Sequence, residues 1–349
     1  MNLSYSLIDH FEACQFRTKL FDFERTARSE GASDIVRSLI GEFAHEGQRA
    51  LILGEDPRTA IRRKLWRLDS ANLPPDFSEQ WPAERLLDRA CGMVARWSRS
   101  VPSWDYKDLR PFVYHDPKTY PAEDVRAVEL AQGDGKPLVD QKLWVPLPEP
   151  IGIFRSLVIK PDFVGYDQND HLWVYDWKWV GDLDEPDAFR YDLQSVIYQW
   201  GLKQLGIKVV GHAIVQGLME EPTPFKVNKD GTVSTRQVRN SHEEYLAACE
   251  RAGHAPDPSM AAKCLPTFRH HVNFRSMREV DAIWEKTIVP KALDISRAAG
   301  YEGVDAAGFT RRWAKFICSR CNVREDCQRG QLGNHEDPRF NSTMLAEVK

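Results

Sequence analysis

Residues 160–179 have the sequence KPDFVGYDQNDHLWVYDWKW, whose pattern is the most informative in the chain. Two largely apolar runs flank the polar DQND, so the segment predicts two strands joined by a hairpin turn. Side chains alternate between the two faces of a strand, which puts Asp176 and Lys178 on one face and the tryptophans on the other. A short hairpin would also bring Asp162 beside Asp176. We therefore expect two carboxylates and an amine to converge at the edge of a buried sheet whose tryptophan face packs under a helix.

Further strands are predicted on both sides of this hairpin. VRAVEL, QKLWVPL and RSLVI precede it, and KVVGHAIVQG and HHVNF follow it. Helical periodicity predicts two helices in the first fifty residues, the second from about Ser33 to Leu53, and another helix from roughly Pro186 to Leu205. This order of elements predicts an α+β fold with a mixed central sheet flanked by helices.

The composition excludes several classes of protein. Among 349 residues, 47 Lys and Arg against 51 Asp and Glu give a net charge of −4, which is unlike a histone-like basic protein. No apolar run approaches the length of a membrane span, and the N-terminus lacks the features of a secretory signal. We expect a soluble, cytoplasmic protein without a membrane partner.

The predicted cluster of two acids and a lysine has an evident chemistry. Neighbouring carboxylates repel each other unless a divalent cation lies between them. A lysine close to that cation can orient or help to deprotonate a water molecule, and the cation acts as a Lewis acid toward a phosphodiester. The alternative is a surface hairpin with a salt bridge, because a D-x-K motif is short enough to recur by chance.

The order Pro161, Asp162, a hairpin, Asp176 and Lys178 resembles the pattern of the PD-(D/E)xK nuclease superfamily. The resemblance implies a restriction-endonuclease-like core that hydrolyses phosphodiester bonds of DNA with a divalent metal. It covers residues 1–50, 125–217 and 305–330.

Two further matches resemble the RecB-like branch of that superfamily. Gln194 and Tyr198 in YDLQSVIYQW lie four residues apart on one helical face, as in its Q-x-x-x-Y motif, and His45 in GEFAHEG resembles its helix-borne histidine. The alternatives are a polar pair at a helix–sheet contact and an ordinary helix histidine. VDQKLWVPL resembles a strand that often carries a Glu, at Asp140 or Gln141 here, but we assign Asp140 no role.

The resemblance implies a role for each of these residues. The catalytic ion, Mn²⁺ or Mg²⁺, would have four ligands: His45, Asp162, Asp176 and the backbone carbonyl of Trp177. Lys178 would position or activate the attacking water, while Gln194 and Tyr198 would support the site and the bound strand. An imidazole ligand favours Mn²⁺, because Mg²⁺ prefers oxygen donors.

Three cysteines near the C-terminus, Cys318, Cys321 and Cys327, have the spacing C-x2-C-x5-C. A tetrahedral thiolate site needs a fourth ligand, for which Cys14 is the best candidate. The layout resembles RecB-like nucleases with an iron–sulfur cluster, such as AddB-type helicase–nucleases and CRISPR adaptation nucleases. It implies a structural [4Fe–4S] cluster that joins the two chain ends, with zinc as the alternative. The other cysteines are expected to be ordinary buried residues: Cys91, Cys249 and Cys264.

We interpret residues 1–349 as one discontinuous nuclease domain. It comprises a helical, mostly peripheral insertion at 55–120, a core at 121–217, and a helical part at 218–349 that carries the cysteine cluster. Basic residues concentrate at 306–330 and from Arg58 to Arg67, where five basic residues occur without an acid. Such clusters are typical of phosphate binding, although a run of charge can also be a solvated helix face.

The sequence thus predicts a DNA nuclease, and more particularly an exonuclease, in repair, recombination, replication or CRISPR-type processing. Its expected partners are single-stranded DNA or duplex ends, together with a helicase, a recombinase or another protein; RNA stays open as a substrate. The alternative is a non-catalytic DNA-binding subunit of a larger complex with the same fold.

Overall fold

A computed structural model describes the fold. It describes residues 2–13, 32–68, 82–99, 110–111, 113–114, 136–167, 169–185, 188–190, 192–220, 225–234, 241–264 and 267–299. The ten strands are β1 (Asn2–Leu3), β2 (Arg110–Pro111), β3 (Val113–Tyr114), β4 (Lys136–Pro137), β5 (Leu143–Ile151), β6 (Phe154–Ile159), β7 (Phe163–Tyr166), β8 (Leu172–Val180), β9 (Gly211–Leu218) and β10 (Phe268–Asn273) in these parts of the chain.

The described α-helices are α1 (Tyr5–Ala13), α2 (Ala32–Ile52), α3 (Pro57–Trp66), α4 (Ala83–Arg99), α5 (Leu193–Gln204), α6 (His242–Ala252), α7 (Met277–Ile283) and α8 (Val289–Ala299). A 3₁₀-helix, Pro258–Ala262, precedes β10, and a π-helical turn, Trp284–Ile288, joins α7 to α8. None of the helices in these ranges has the length and apolar character that crossing a bilayer requires.

The central sheet has five strands in the order β10-β9-β8-β7-β2. β8 and β9 are parallel and are connected through α5, whereas the other neighbours are antiparallel. The expected hairpin is therefore β7–β8, and HHVNF is the edge strand β10. This mixed sheet between helices confirms the predicted α+β class.

The strands from QKLWVPL and RSLVI do not join the central sheet. They form β5 and β6 of a separate three-stranded sheet, in which β6 also pairs in parallel with β1. Lys160 and Pro161 separate β6 from β7, and the ring of Pro161 has no N–H to donate to a continuing ladder. The prediction of one central sheet was thus too simple, while VRAVEL lies outside the described residues.

The two faces of β8 contact different layers of helices. Trp173, Tyr175, Trp177 and Trp179 form the expected apolar face and belong to a core with α2, α3 and α4. Leu172 and Val174 face the opposite layer, which contains α1, α5, α7 and α8. In that layer the rings of Trp200 and Trp284 stack with their centroids 3.6 Å apart.

The described helices of the segment 55–120 are not peripheral, contrary to expectation. Ile61 and Trp97 are buried in the core under β8, and the Trp97 and Trp177 rings meet edge to face at 5.5 Å. Gly47 of α2 permits this packing, because a Cβ there would lie 2.7 Å from a methyl group of Val94 and 2.9 Å from Ile61. The segment also supplies β2, so it is not wholly helical.

The helix after β8 begins later than the sequence suggested. The carboxylate of Asp192 accepts hydrogen bonds from the N–H groups of Gln194 and Ser195, so α5 starts at Leu193 rather than near Pro186. The Asp192 cap thus sets the start of α5 and places Gln194 in its first turn.

His212 of β9 is fully buried, and neither of its ring nitrogens has a hydrogen-bond partner among the residues that the structure describes. Burial lowers the pKa of His212 to about 4, so the folded protein keeps this ring neutral where an unfolded chain would protonate it. Stability should therefore fall as the pH drops from the ordinary histidine pKa toward 4.

We expect His212→Gln to reduce this acid sensitivity. Relative to the variant, the parent protein should lose about 2 kcal/mol of unfolding free energy between pH 7 and pH 5. Urea titrations of both proteins at several pH values measure the difference. If the difference in unfolding free energy between the two proteins did not change with pH, the buried ring of His212 would not be neutral.

Candidate active site

Asp162 lies at the start of the β7–β8 hairpin, next to Asp176. The pairing of Phe163 with Tyr175 fixes this register. One carboxylate oxygen of Asp162 accepts a hydrogen bond from the backbone N–H of Trp177, with the nitrogen and oxygen 2.7 Å apart. The hairpin therefore holds the first acid beside the strand that carries the second.

Asp176 and Lys178 form an ion pair on the face of β8 opposite the tryptophans. The ammonium nitrogen of Lys178 lies 2.6 Å from a carboxylate oxygen of Asp176, whose side chain is only 7% exposed. Burial alone would lower the pKa of Lys178, but the charge and hydrogen bond of Asp176, together with the charges of Asp192 and Asp162, outweigh it, so the pKa lies above its ordinary value. The lysine is therefore charged and compensates one of the two acids.

Gln194 connects Asp176, Lys178 and Tyr198. Its side-chain amide nitrogen donates to Asp176 and to the Tyr198 hydroxyl, each at 3.0 Å, and its oxygen accepts from Lys178 at 3.0 Å. The Tyr198 hydroxyl in turn donates to the carbonyl oxygen of Lys160 at 2.8 Å. The four-residue spacing of Gln194 and Tyr198 thus anchors α5 both to β8 and to the chain just before Asp162.

His45 reaches the same cluster from α2. Its Nδ1 atom lies 3.7 Å from a carboxylate oxygen of Asp162, and its ring meets Trp177 edge to face with the centroids 6.5 Å apart. Burial lowers the pKa of His45, and the charges of Asp176 and Asp140 only partly oppose this effect. The imidazole is therefore biased toward the neutral form, which is the form that ligates metals.

The negative charges of Asp162 and Asp176 repel each other in the active site. Burial, and then the neighbouring Asp176 charge, raise the pKa of Asp162 well above its usual range. A divalent cation between the carboxylates would relieve this repulsion, so the donor chemistry fits a metal. Nevertheless, the His, Cys, Asp and Glu side chains of the described ranges do not close into a group of three that could hold an ion.

Asp140 and Lys160 belong to the surroundings of the site, although no role was predicted for Asp140. The Lys160 ammonium lies 2.7 Å from the Asp140 carboxylate, and the Asp140 N–H donates to the carbonyl of Asp162 at 2.8 Å. Asp140 has a left-handed backbone with φ of 54°. This contact joins segments 22 residues apart through the backbone, so no short motif could have indicated it.

Four cysteines are the expected ligands of the iron–sulfur cluster. The expected cluster residues Cys14, Cys318, Cys321 and Cys327 all lie outside the described parts of the chain. Of the remaining three, Cys249 is buried, whereas Cys91 and Cys264 are only partly buried. The expectation of ordinary buried cysteines was therefore right for Cys249 alone.

The comparisons with known proteins agree with this geometry. The profile of the PD-(D/E)XK nuclease superfamily matches residues 2–328, nearly the whole chain, so the protein belongs to that superfamily. Membership makes it a nuclease in general terms, and the nucleases of this superfamily act on DNA with divalent metals such as Mg²⁺ or Mn²⁺. A search of curated proteins found no match.

Gln194 should act through Asp176 and Lys178 rather than on the substrate. Gln194→Leu removes the three hydrogen bonds, and we expect roughly 10- to 100-fold slower cleavage, typical of losing a supporting contact at a metal site. Gln199→Leu is the matched control, because Gln199 is also buried on α5 but, within the described ranges, bonds only to Ser195. Equal rates for both variants would show that Gln194 only stabilises the helix.

Proposed function

We propose that the protein is a metal-dependent DNA exonuclease of the RecB-like type. The observation that carries this proposal is the ion pair of Asp176 and Lys178 beside Asp162, with Gln194 and Tyr198 bonded into the same cluster. A structural salt bridge on a surface hairpin would not explain the largely buried Asp162 beside it, whose ionisation the fold disfavours.

Four groups would hold the ion: His45, Asp162, Asp176 and the backbone carbonyl of Trp177. The ion would supply Lewis acidity toward a phosphoryl oxygen. The imidazole of His45 favours Mn²⁺ over Mg²⁺, because Mg²⁺ prefers oxygen ligands. We therefore expect manganese to support activity at least as well as magnesium.

The remaining side chains would position the reactants. Lys178 would orient the attacking water and stabilise the negative charge that develops on the phosphate. Gln194 keeps the ammonium of Lys178 and the carboxylate of Asp176 in place through the oxygen and the nitrogen of its side-chain amide. Tyr198 hydrogen-bonds to Gln194 and to the carbonyl of Lys160. These two bonds link α5 to the hairpin that carries the acids.

Digestion of linear and circular DNA, single- and double-stranded, with Mn²⁺ or Mg²⁺ tests the proposal, with Asp162→Ala as the control. We expect degradation of linear DNA only, and none by the variant. Cleavage of circular DNA would instead indicate an endonuclease. Inactivity on every substrate with both metals would contradict the enzyme and favour a DNA-binding subunit that works within a larger complex.

We also propose that Cys14, Cys318, Cys321 and Cys327 bind a structural [4Fe–4S] cluster. All four positions fall inside the stretch that matches the superfamily, residues 2–328, and a joint site would connect the two ends of that stretch. Anaerobically purified protein should be brown with broad visible absorption. Colourless protein with one bound zinc would support the alternative, and Cys321→Ser should remove whichever metal is present.

A further inference from the structure

The outer side of α3 combines an exposed tryptophan with basic side chains. Trp66 is 76% exposed, which is more than any other large apolar side chain in the described ranges. Arg62 and Arg63 precede it by one helical turn, and Arg67 follows it directly. We call these four residues the α3 basic face: Arg62, Arg63, Trp66 and Arg67.

This face is not needed to attach α3 to the protein. Ala60, Ile61 and Leu65 are the buried residues of the helix, and they contact the core under β8. Trp66 projects away from that contact, so its indole leaves a large apolar surface in water. An exposed indole among guanidinium groups is the combination that proteins use to stack bases and pair phosphates.

The charge of the face is only partly neutralised. Residues 57–67 contain five basic residues and no acid. Arg58, Arg63 and Lys64 pair with acids from neighbouring elements. Arg62 and Arg67 have no acidic partner within the described ranges, so their charges are available to a ligand.

The α3 basic face belongs to a helix that packs against α2, the helix that carries His45. Ile61 of α3 packs on Gly47 of α2, and Lys64 bonds to the backbone carbonyl of Glu42 at 3.3 Å. Because later residues of α3 contact earlier residues of α2, the two helices run antiparallel. The end of α3 that carries Trp66 therefore lies near Glu42 of α2, about one helical turn before His45.

We propose that the α3 basic face binds a single strand of nucleic acid and holds it next to the active site. This inference rests on the proposed nuclease function and specifies its substrate as single-stranded. Bases within a duplex are already stacked on their neighbours, whereas a single strand offers a free base to Trp66. Arg62 and Arg67 would then pair with the phosphates on either side.

Binding is measured first, by fluorescence anisotropy of labelled oligo(dT) and oligo(rU) without added divalent metal, in an Asp162→Asn background that prevents cleavage. Trp66→Ala should weaken binding of at least one of these strands about ten-fold. It should not change binding of an abasic strand of equal length, which carries the same charge but no bases. Arg62→Ala should lower the slope of log affinity against log salt by roughly 0.7, the loss of one phosphate contact.

Trp144→Ala is the matched control. Trp144 is also an exposed tryptophan, 57% accessible, with the ammonium of Lys142 5.2 Å from its ring, but it lies on β5 in the separate three-stranded sheet. We expect this variant to bind oligo(dT) as the parent does. Since both tryptophans are exposed, neither substitution should change the melting temperature of the protein.

Cleavage separates this proposal from the proposed function. With the intact active site, Trp66→Ala should raise KM for single strands about ten-fold and leave kcat unchanged. Hydrolysis of bis(p-nitrophenyl) phosphate, which is too small to reach both sites, should be unaffected. If the parent protein cleaves no substrate, the nuclease proposal fails. The binding measurements would still show whether the α3 basic face binds single strands.

Several results would overturn the inference. One is unchanged affinity of Trp66→Ala for both single strands. Another is an equal loss of affinity for the abasic strand, or for a duplex of the same length, because stacking on an open base would then play no part. Tighter binding of polyglutamate than of either oligonucleotide would assign the face to an acidic protein partner instead.

Discussion

Lys178→Ala should slow phosphodiester cleavage by about 10²- to 10⁴-fold, the range expected when a positioned group that moves or holds a proton is removed. The ammonium of Lys178 is held by Asp176 and Gln194, so the substitution removes a positive charge from a defined position beside the acids. Steady-state rates on linear DNA in Mn²⁺ measure the effect. Since Lys178 is not a proposed metal ligand, the variant should still bind Mn²⁺.

Lys203→Ala is a suitable control for this substitution. Lys203 also makes an ion pair at 2.6 Å, with Asp281, but it does so between α5 and α7 on the far side of α5. Removing it deletes a comparable pair without touching the acids of the active site. If Lys178→Ala kept the parental rate, or if Lys203→Ala lost as much activity, the assignment of Lys178 would be wrong.

Asp162→Asn should abolish cleavage, by about a thousand-fold or more, and yet stabilise the metal-free protein. Because burial and Asp176 raise the pKa of Asp162 in the folded state, its ionisation at neutral pH opposes folding. Asparagine is neutral and can still accept the hydrogen bond from Trp177. Urea unfolding of both proteins in the presence of a chelator measures the predicted gain.

The pH dependence gives this prediction a definite sign. A carboxyl whose folded pKa is raised contributes stability below its unfolded pKa and loses that contribution as the pH rises through the folded value. The gain from Asp162→Asn should therefore be largest at neutral pH and shrink on acidification. A variant less stable than the parent at pH 7 would contradict the repulsion between the two acids.

Asp167→Asn should have the opposite effect and serves as the control. Burial alone would raise the pKa of Asp167, but hydrogen bonds from the backbone N–H groups of His171 and Asn169 outweigh it and lower the pKa. The carboxylate of Asp167 thus stabilises the hairpin turn when ionised. Its neutral replacement should weaken the fold at neutral pH and leave the catalytic acids intact.

Local patterns predicted the parts of the site that depend on one or two neighbouring elements. The alternation along β8 was sufficient to put Asp176 and Lys178 on one face and Trp177 on the other. The turn residues predicted the hairpin that brings Asp162 to Asp176, and helical spacing predicted that Gln194 and Tyr198 share a face. Each of these inferences follows from the period of a strand or a helix.

Contacts between distant segments could not be predicted in this way, because the period of a single strand or helix carries no information about them. The approach of Asp140 to Lys160 and Asp162 depends on a left-handed residue between two sheets, which no local pattern marks. The packing of α3 and α4 under β8 depends on the missing side chain of Gly47, whose neighbours come from other helices. The late start of α5 results from the Asp192 cap, which competed with the helical periodicity upstream.

Crystals grown or soaked in Mn²⁺, with an anomalous difference map, show whether Asp162, Asp176 and His45 surround one metal ion. We predict one strong peak between the carboxylates of Asp162 and Asp176, within reach of the imidazole of His45. The peak should be missing from Asp162→Asn crystals. No peak at this position in the parent protein, despite manganese bound elsewhere, would contradict the proposed metal site and the nuclease chemistry that depends on it.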